Sequence, residues 1–154
     1  MADAKGSDFK SIMSQLDATL EEYLVKKAPA IPANIREIIV KIAPWLTLLG
    51  VIMSIPAILA VLGLGAMMAP LAFLGGMGAG AAFSISIVFV AITIILEALA
   101  IPGLFSRSRK GWDLLFYSAL VSAVSSIVTF NIGGLIIGTL LTLYIMYQIK
   151  GYYK

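Results

Sequence analysis

Residues 42–96 read IAPWLTLLGVIMSIPAILAVLGLGAMMAPLAFLGGMGAGAAFSISIVFVAITIIL, 55 positions without one Asp, Glu, Lys or Arg. A membrane span needs roughly 20 apolar residues, so this run holds two spans and a turn, whereas a single helix of that length would overshoot a bilayer. Residues 114–149, LLFYSALVSAVSSIVTFNIGGLIIGTLLTLYIMYQI, form a second uncharged run of 36. As one helix it would be about 54 Å long against about 30 Å of hydrocarbon, so it also folds back on itself. Four spans follow: about 44–68, 81–100, 111–129 and 132–149. Pro70 and the glycines of PLAFLGGMGAG mark the first connection, Phe130, Asn131 and Gly133 mark a tight second hairpin, and Pro56 predicts a kink.

The whole composition agrees. The 154 residues are 60% hydrophobic and 12% charged, with a mean hydropathy of +1.01. A water-facing domain is about 45–50% apolar and about 25% charged, which excludes a soluble globular enzyme. The chain has no Cys and no His. That removes disulfides, thiolate and imidazole metal sites, haem ligands and cysteine nucleophiles, so no cofactor and no metal is expected.

Charge also predicts topology. Lys5, Lys10, Lys26, Lys27, Arg36 and Lys41 precede the first span, Arg107, Arg109 and Lys110 lie between the second and third, and Lys150 and Lys154 follow the fourth. The other two connections carry none, so the positive-inside rule places both termini in the cytoplasm. Trp45, Trp112, Tyr147, Tyr152 and Tyr153 are expected at that interface, with Arg107, Arg109, Lys110, Trp45 and Trp112 touching anionic headgroups. SRSRKGWD reads first as this topology and lipid signal, and second as a site for a phosphorylated ligand or cytosolic partner. Asp113 is expected in the first turn of the third helix, matching its dipole.

The first 40 residues hold no apolar run resembling a cleavable signal. Phe9, Ile12, Met13, Leu16, Leu20, Tyr23 and Leu24 recur at helical spacing against Lys10, Ser14, Asp17, Glu21 and Glu22, which predicts an amphipathic helix. Ser7 is its expected N-cap, Asp8 its first-turn acid, Lys26 and Lys27 its last-turn bases, and Pro29 its stop. It either lies at the headgroup level or under its own bundle, or docks a neighbouring subunit. Asn34 and Glu37 suggest a capping box before the first span. The expected divisions are 1–33 for helix and proline linker, 34–105 for the first hairpin, and 106–154 for basic loop and second hairpin. The fold class is all-α: an integral membrane four-helix bundle of two hairpins with a cytoplasmic amphipathic helix.

In lipid, helices associate through small residues that let backbones approach and hydroxyls that bond across the seam. Gly50 and Ser54 mark such a face on the first span, Ser118, Ser122 and Ser125 on the third, and Gly134 and Gly138, a G-x-x-x-G pair, on the fourth. Glu97 is the intramembrane charge. If its helix continued through Phe105 it would lie about 13 Å below the interface. Pro102 and Gly103 suggest an earlier end, which would let it pair with Arg107, Arg109 or Arg36. The alternative is a proton- or cation-coupling site.

Ile31-Pro32 with Arg36, Lys41 and Trp45 is loosely echoed by Ile101-Pro102 with Arg107, Lys110 and Trp112, as a duplicated hairpin would be. The runs IPGLFSRSRKGWDLLFYS and YIMYQIKGYYK resemble a group of small bacterial four-span membrane proteins over residues 101–154. The resemblance implies a bacterial inner membrane and transfers no activity. The first functional reading is a non-enzymatic membrane protein acting by association, as a self-assembling scaffold or accessory subunit, with the bilayer and a homo-oligomer or membrane complex as partners and no nucleic acid. The second is a small oligomeric transporter or channel lined by the Ser/Thr faces and Glu97.

Overall fold

The structure is a computed structural model and describes residues 2–154. Six α-helices, with no strand among the described residues, are joined or extended by wider π-helical turns. Helix α1, Ala2–Glu21, runs into a π-helical end at Glu22–Lys27. Helix α2 is Ala33–Ala60; it widens over Val61–Gly65 and continues as α3, Ala66–Leu74. Helix α4 is Met77–Phe105 and α5 is Arg109–Val128. The last segment is π-helical over Gly134–Leu140 before α6, Leu141–Ile149, and a short 3₁₀ turn. Four helical stretches are long and apolar enough to cross a membrane: Ala33–Met68, Met77–Phe105, Arg109–Val128 and Gly134–Tyr152.

Several expected boundaries shift. The first connection is only Gly75–Gly76, because α3 runs through Pro70 to Leu74, and Gly76 at φ 107° makes the reversal. An L side chain rarely adopts that φ, so glycine is required there. Helix α1 begins at Ala2, which puts Ser7 and Asp8 inside it. Helix α2 begins at Ala33, its first bond running from the Arg36 N–H to the Pro32 carbonyl, so Asn34 lies inside α2 and Glu37 pairs with Lys41 at 3.5 Å. Pro32 therefore precedes a helix while Pro102 lies within α4, and the echoed Ile-Pro pairs occupy different places.

The other two turns share one construction. After α4, Arg107 takes φ 51°, the Ser108 N–H reaches back to the Gly103 carbonyl at 2.8 Å, and Ser108 Oγ accepts from the Gly111 N–H. After α5, Phe130 takes φ 54°, the Asn131 N–H reaches the Ser126 carbonyl at 2.8 Å, and Asn131 Oδ1 accepts from the Gly134 N–H. Each is a left-handed helix stop whose next residue caps the following helix, so a three-residue turn satisfies both helix ends.

The core lies at the end of the bundle that holds both termini. Trp112 stacks on Phe116 and meets Tyr147 edge-on, with centroids 5.4 Å apart in both pairs, and its indole N–H donates to the Met146 carbonyl at 2.9 Å. Val40, Ala100, Leu104 and Leu143 close around them, and Leu16, Leu20 and Leu24 of α1 pack on the outside. Trp112 is 2% exposed and Tyr147 is equally buried. Both are core residues that leave no ring surface for headgroup contact, and their polar atoms find partners inside the bundle. Trp45, by contrast, is 62% exposed, with its ring edge-on to Phe105.

A close helix contact lies at Gly103 and Gly111, where α4 and α5 meet backbone to backbone. A Cβ at Gly103 would fall 2.6 Å from Gly111 Cα, and one at Gly111 would fall 2.6 Å from Leu104 N. Gly50 and Gly138 have no atom within 4 Å of such a Cβ, and the nearest atoms to Gly134 belong to Asn131 of its own turn. The predicted G-x-x-x-G pair is not a packed seam within this chain.

Candidate functional site

A cavity of about 790 Å³ lies among α2, α4, α5 and the last helix, adjoining the aromatic core. Its wall is shaped by the sequence's small residues. Gly50 and Ala43 come from α2, Ala119 from α5, and Gly134 and Gly138 from the π-helical stretch, while Ile38, Ile42 and Leu46 give it an apolar side. The cavity is open along one side, where Ile38, Ile42, Leu46, Gly50 and Gly138 are exposed.

The polar wall brings together Glu97 with Ser118, Ser122 and Ser126, and adds Thr47, Thr139 and Thr142. Ser118 donates to the Leu115 carbonyl at 2.8 Å and Thr47 to the Ala43 carbonyl at 2.9 Å. Ser54, outside the wall, donates to the Gly50 carbonyl at 2.7 Å. These hydroxyls satisfy themselves on their own helix, in place of the expected bonds across a seam. Ser125 is also outside the cavity, its carbonyl taken by Thr129.

Glu97 makes neither an ion pair nor a side-chain hydrogen bond among the described residues. The expected pairing with Arg107, Arg109 or Arg36 is not formed among the described residues. Helix α4 does not stop at Pro102; it runs on to Phe105, with the Pro102 carbonyl accepting from both the N–H and the Oγ–H of Ser106. Pro102 removes one helix donor without ending the helix, and Gly103 serves the approach of α5 instead of a stop. Arg109 instead pairs with Asp113, four residues on, at 3.2 Å. Asp113 therefore sits in the second turn of α5, its carboxylate engaged by a side chain rather than by the helix end.

The remaining basic residues lie around the 106–108 turn. Arg107 is exposed and its carbonyl accepts from the Lys154 N–H, while the Arg109 N–H donates to the Lys154 carbonyl at 2.7 Å, so the chain end is clipped to this turn. The Arg109 guanidinium lies 4.8 Å from the Trp112 ring centroid, and Lys110 is exposed.

Sequence reasoning missed the clamp that holds α1. Lys150 Nζ donates to both Asp17 oxygens at 2.9 Å and to Glu21 at 3.2 Å, and Tyr147 OH donates to Asp17 at 2.6 Å. Gln148 donates to the Leu24 carbonyl and accepts from the Ile31 N–H, and Tyr144 OH donates to the Pro29 carbonyl at 2.6 Å. Burial works against the Asp17 carboxylate, but the hydrogen bonds from Tyr147 and Lys150 outweigh it and hold its pKa below the ordinary value. The available signal was the spacing of Tyr144, Tyr147 and Gln148, which puts three polar side chains on one face of an apolar helix.

Comparison with protein-family models, with curated proteins and with solved structures finds no match. Fold and site together define an all-helical protein with four helices apolar enough to cross a membrane, and a cavity walled by small residues, hydroxyls and one carboxyl.

Proposed function

We propose that this is a non-enzymatic protein of the bacterial cytoplasmic membrane, with both termini in the cytoplasm, that works by association with a second membrane segment. The observation that carries the reading is the cavity: the small residues that let helices approach in lipid, Gly50 and Gly138, face open space instead of another helix of the same chain. Glu97, on the same wall, has no partner of its own among the described residues. An ionisable group within a span costs about 2.5–3.5 kcal/mol at the membrane centre and tends to face a partner or a wet cavity. A helix from a second copy or a companion subunit supplies both packing and a donor. The link of α1 to α6 through Asp17 and Lys150 supports a common compartment for the two chain ends, and the basic residues there support the cytoplasmic assignment.

The test is assembly in native-lipid particles. The protein is expected as an oligomer or with a co-purifying partner, and Gly138→Leu, which fills the cavity, is expected to dissociate it without unfolding the chain. A monodisperse monomer alone would contradict the reading. A second reading, an oligomeric transporter, is favoured by Glu97 sharing one wall with Ser118, Ser122 and Ser126. It requires a flux into proteoliposomes that Glu97→Gln abolishes; under the association reading, Glu97→Gln leaves any flux unchanged.

A further inference from the structure

A second cavity, of about 420 Å³, lies at the end of the bundle where α1, the start of α2, the 106–108 turn and the chain end converge. It is distinct in chemistry from the larger one. Three cations line it, Arg36 from α2, Arg109 from α5 and Lys150 from the chain end, with one carboxylate, Glu21, and with Tyr147, Gln148 and Tyr153.

The carboxylates nearby are already engaged. Asp17 and Glu21 take Lys150, at 2.9 and 3.2 Å, and Asp113 takes the Arg109 Nε at 3.2 Å. Arg36 is left over: it makes no ion pair among the described residues, and its Nε is buried without a hydrogen-bond partner. Among the described residues, the hydroxyl of Tyr153 is the other buried side-chain polar atom without a partner, on a residue only 3% exposed. The residues that carry both atoms line one cavity, and although its three cations and three carboxylates balance in number, Lys150 takes two of the carboxylates, which leaves Arg36 without one. Buried donors without acceptors are costly, and native structures leave few of them.

We propose that this cavity binds one phosphate group as a monoanion. Arg36 is its charge partner, the Tyr153 hydroxyl donates to it, and the Arg109 nitrogens not spent on Asp113 donate from a third segment. Donors arriving from α2, α5 and the chain end suit a tetrahedral oxyanion better than a planar carboxylate, and guanidinium is the side chain best matched to phosphate oxygens. The space, open on one side, is large enough for a phosphate with a small polar substituent. Two sources offer this chemistry: the phosphodiester of a lipid headgroup, and a soluble phosphate or phosphate ester.

The experiment uses the full chain in dodecyl maltoside without phosphate, titrated with dihexanoyl phosphatidylglycerol in one arm and inorganic phosphate in the other, and bound molecules are counted by native mass spectrometry. One saturable site is expected, weakened at least tenfold by Arg36→Gln and several-fold by Tyr153→Phe, and unchanged by Lys10→Gln, which removes an exposed charge of α1 outside the cavity. Saturation by the lipid alone assigns the headgroup source; saturation by inorganic phosphate with the same dependence assigns the soluble one. Binding of neither probe, or equal weakening by Arg36→Gln and Lys10→Gln, overturns the proposal. Should Arg36→Gln not fold, Tyr153→Phe carries the test, and undiminished binding in that variant overturns it.

Discussion

Replacing Gly111 by Ala puts a methyl group where α4 and α5 touch. The new Cβ would stand 2.6 Å from Leu104 N and 2.8 Å from Gly103 Cα, against a comfortable separation of about 3.5–4.0 Å between carbon atoms. Both obstacles are backbone, so no side chain can swing aside; the helices must part by about 1 Å. Overpacking of this kind costs about 1–3 kcal/mol, and a backbone clash belongs at the upper end. Alanine returns up to about 1 kcal/mol of helix propensity. The net loss is about 2 kcal/mol, roughly a factor of 30 in the folded-to-unfolded ratio. Gly103→Ala should behave alike, since its Cβ would fall 2.7 Å from Gly111 N. Gly50→Ala is the internal control, with nothing within 4 Å, and should be neutral or stabilising. Urea unfolding in detergent, followed by the fluorescence of Trp112 next to the contact, measures all three. Wild-type stability of Gly103→Ala and Gly111→Ala, or an equal loss in Gly50→Ala, would refute the assignment of the helix crossing.

Other outcomes follow from the core and the clamp. Trp112→Phe removes the donor to the Met146 carbonyl and leaves that acceptor buried, so it should cost about 1–3 kcal/mol beyond any change in packing, read in the same unfolding experiment. Asp17→Asn should free α1 from Lys150 and Tyr147, raising amide exchange over residues 8–24 several-fold at pH 7 while leaving α5 protected. Because the folded Asp17 pKa is depressed, its contribution is complete above the ordinary value of 3.8 and disappears only as pH falls through the lower folded value. Protection factors over the same residues, with the intrinsic pH dependence of exchange divided out, should therefore be unchanged between pH 7 and pH 5, and a fall in protection near pH 5 would contradict the clamp.

The four apolar helices were legible because the absence of charge over 55 and 36 residues leaves no other use for the chain. The turn after α5 was also legible, since Asn131 caps whatever helix follows it. The first turn was misjudged: Pro70 and a run of glycines resemble a loop, yet in an apolar helix they only widen or bend the backbone, and Gly76 alone changes its direction. The Gly134 and Gly138 pair looked like a seam because spacing on one helix is visible in sequence. The true close contact, Gly103 against Gly111, joins two helices across a turn, and nothing in the order of residues distinguishes it. Trp112 and Tyr147 were placed in the headgroup layer by residue type. Their burial depends on the Met146 carbonyl and Asp17, which lie 34 and 130 positions away. Glu97 was identified as the charge among apolar residues, but its lack of a partner follows from the continuation of α4 past Pro102.

The partition of the chain between two aqueous faces underlies every functional statement made here, and the absence of native cysteine makes it directly measurable. Single cysteines at Ala18, Lys110 and Lys154 should react with an impermeant maleimide only when the cytoplasmic face is open, whereas Met77→Cys and Ile132→Cys should react from the opposite face of intact cells. Labelling of Lys110→Cys from outside, or of Ala18→Cys and Lys154→Cys from different faces, would contradict the four-span arrangement.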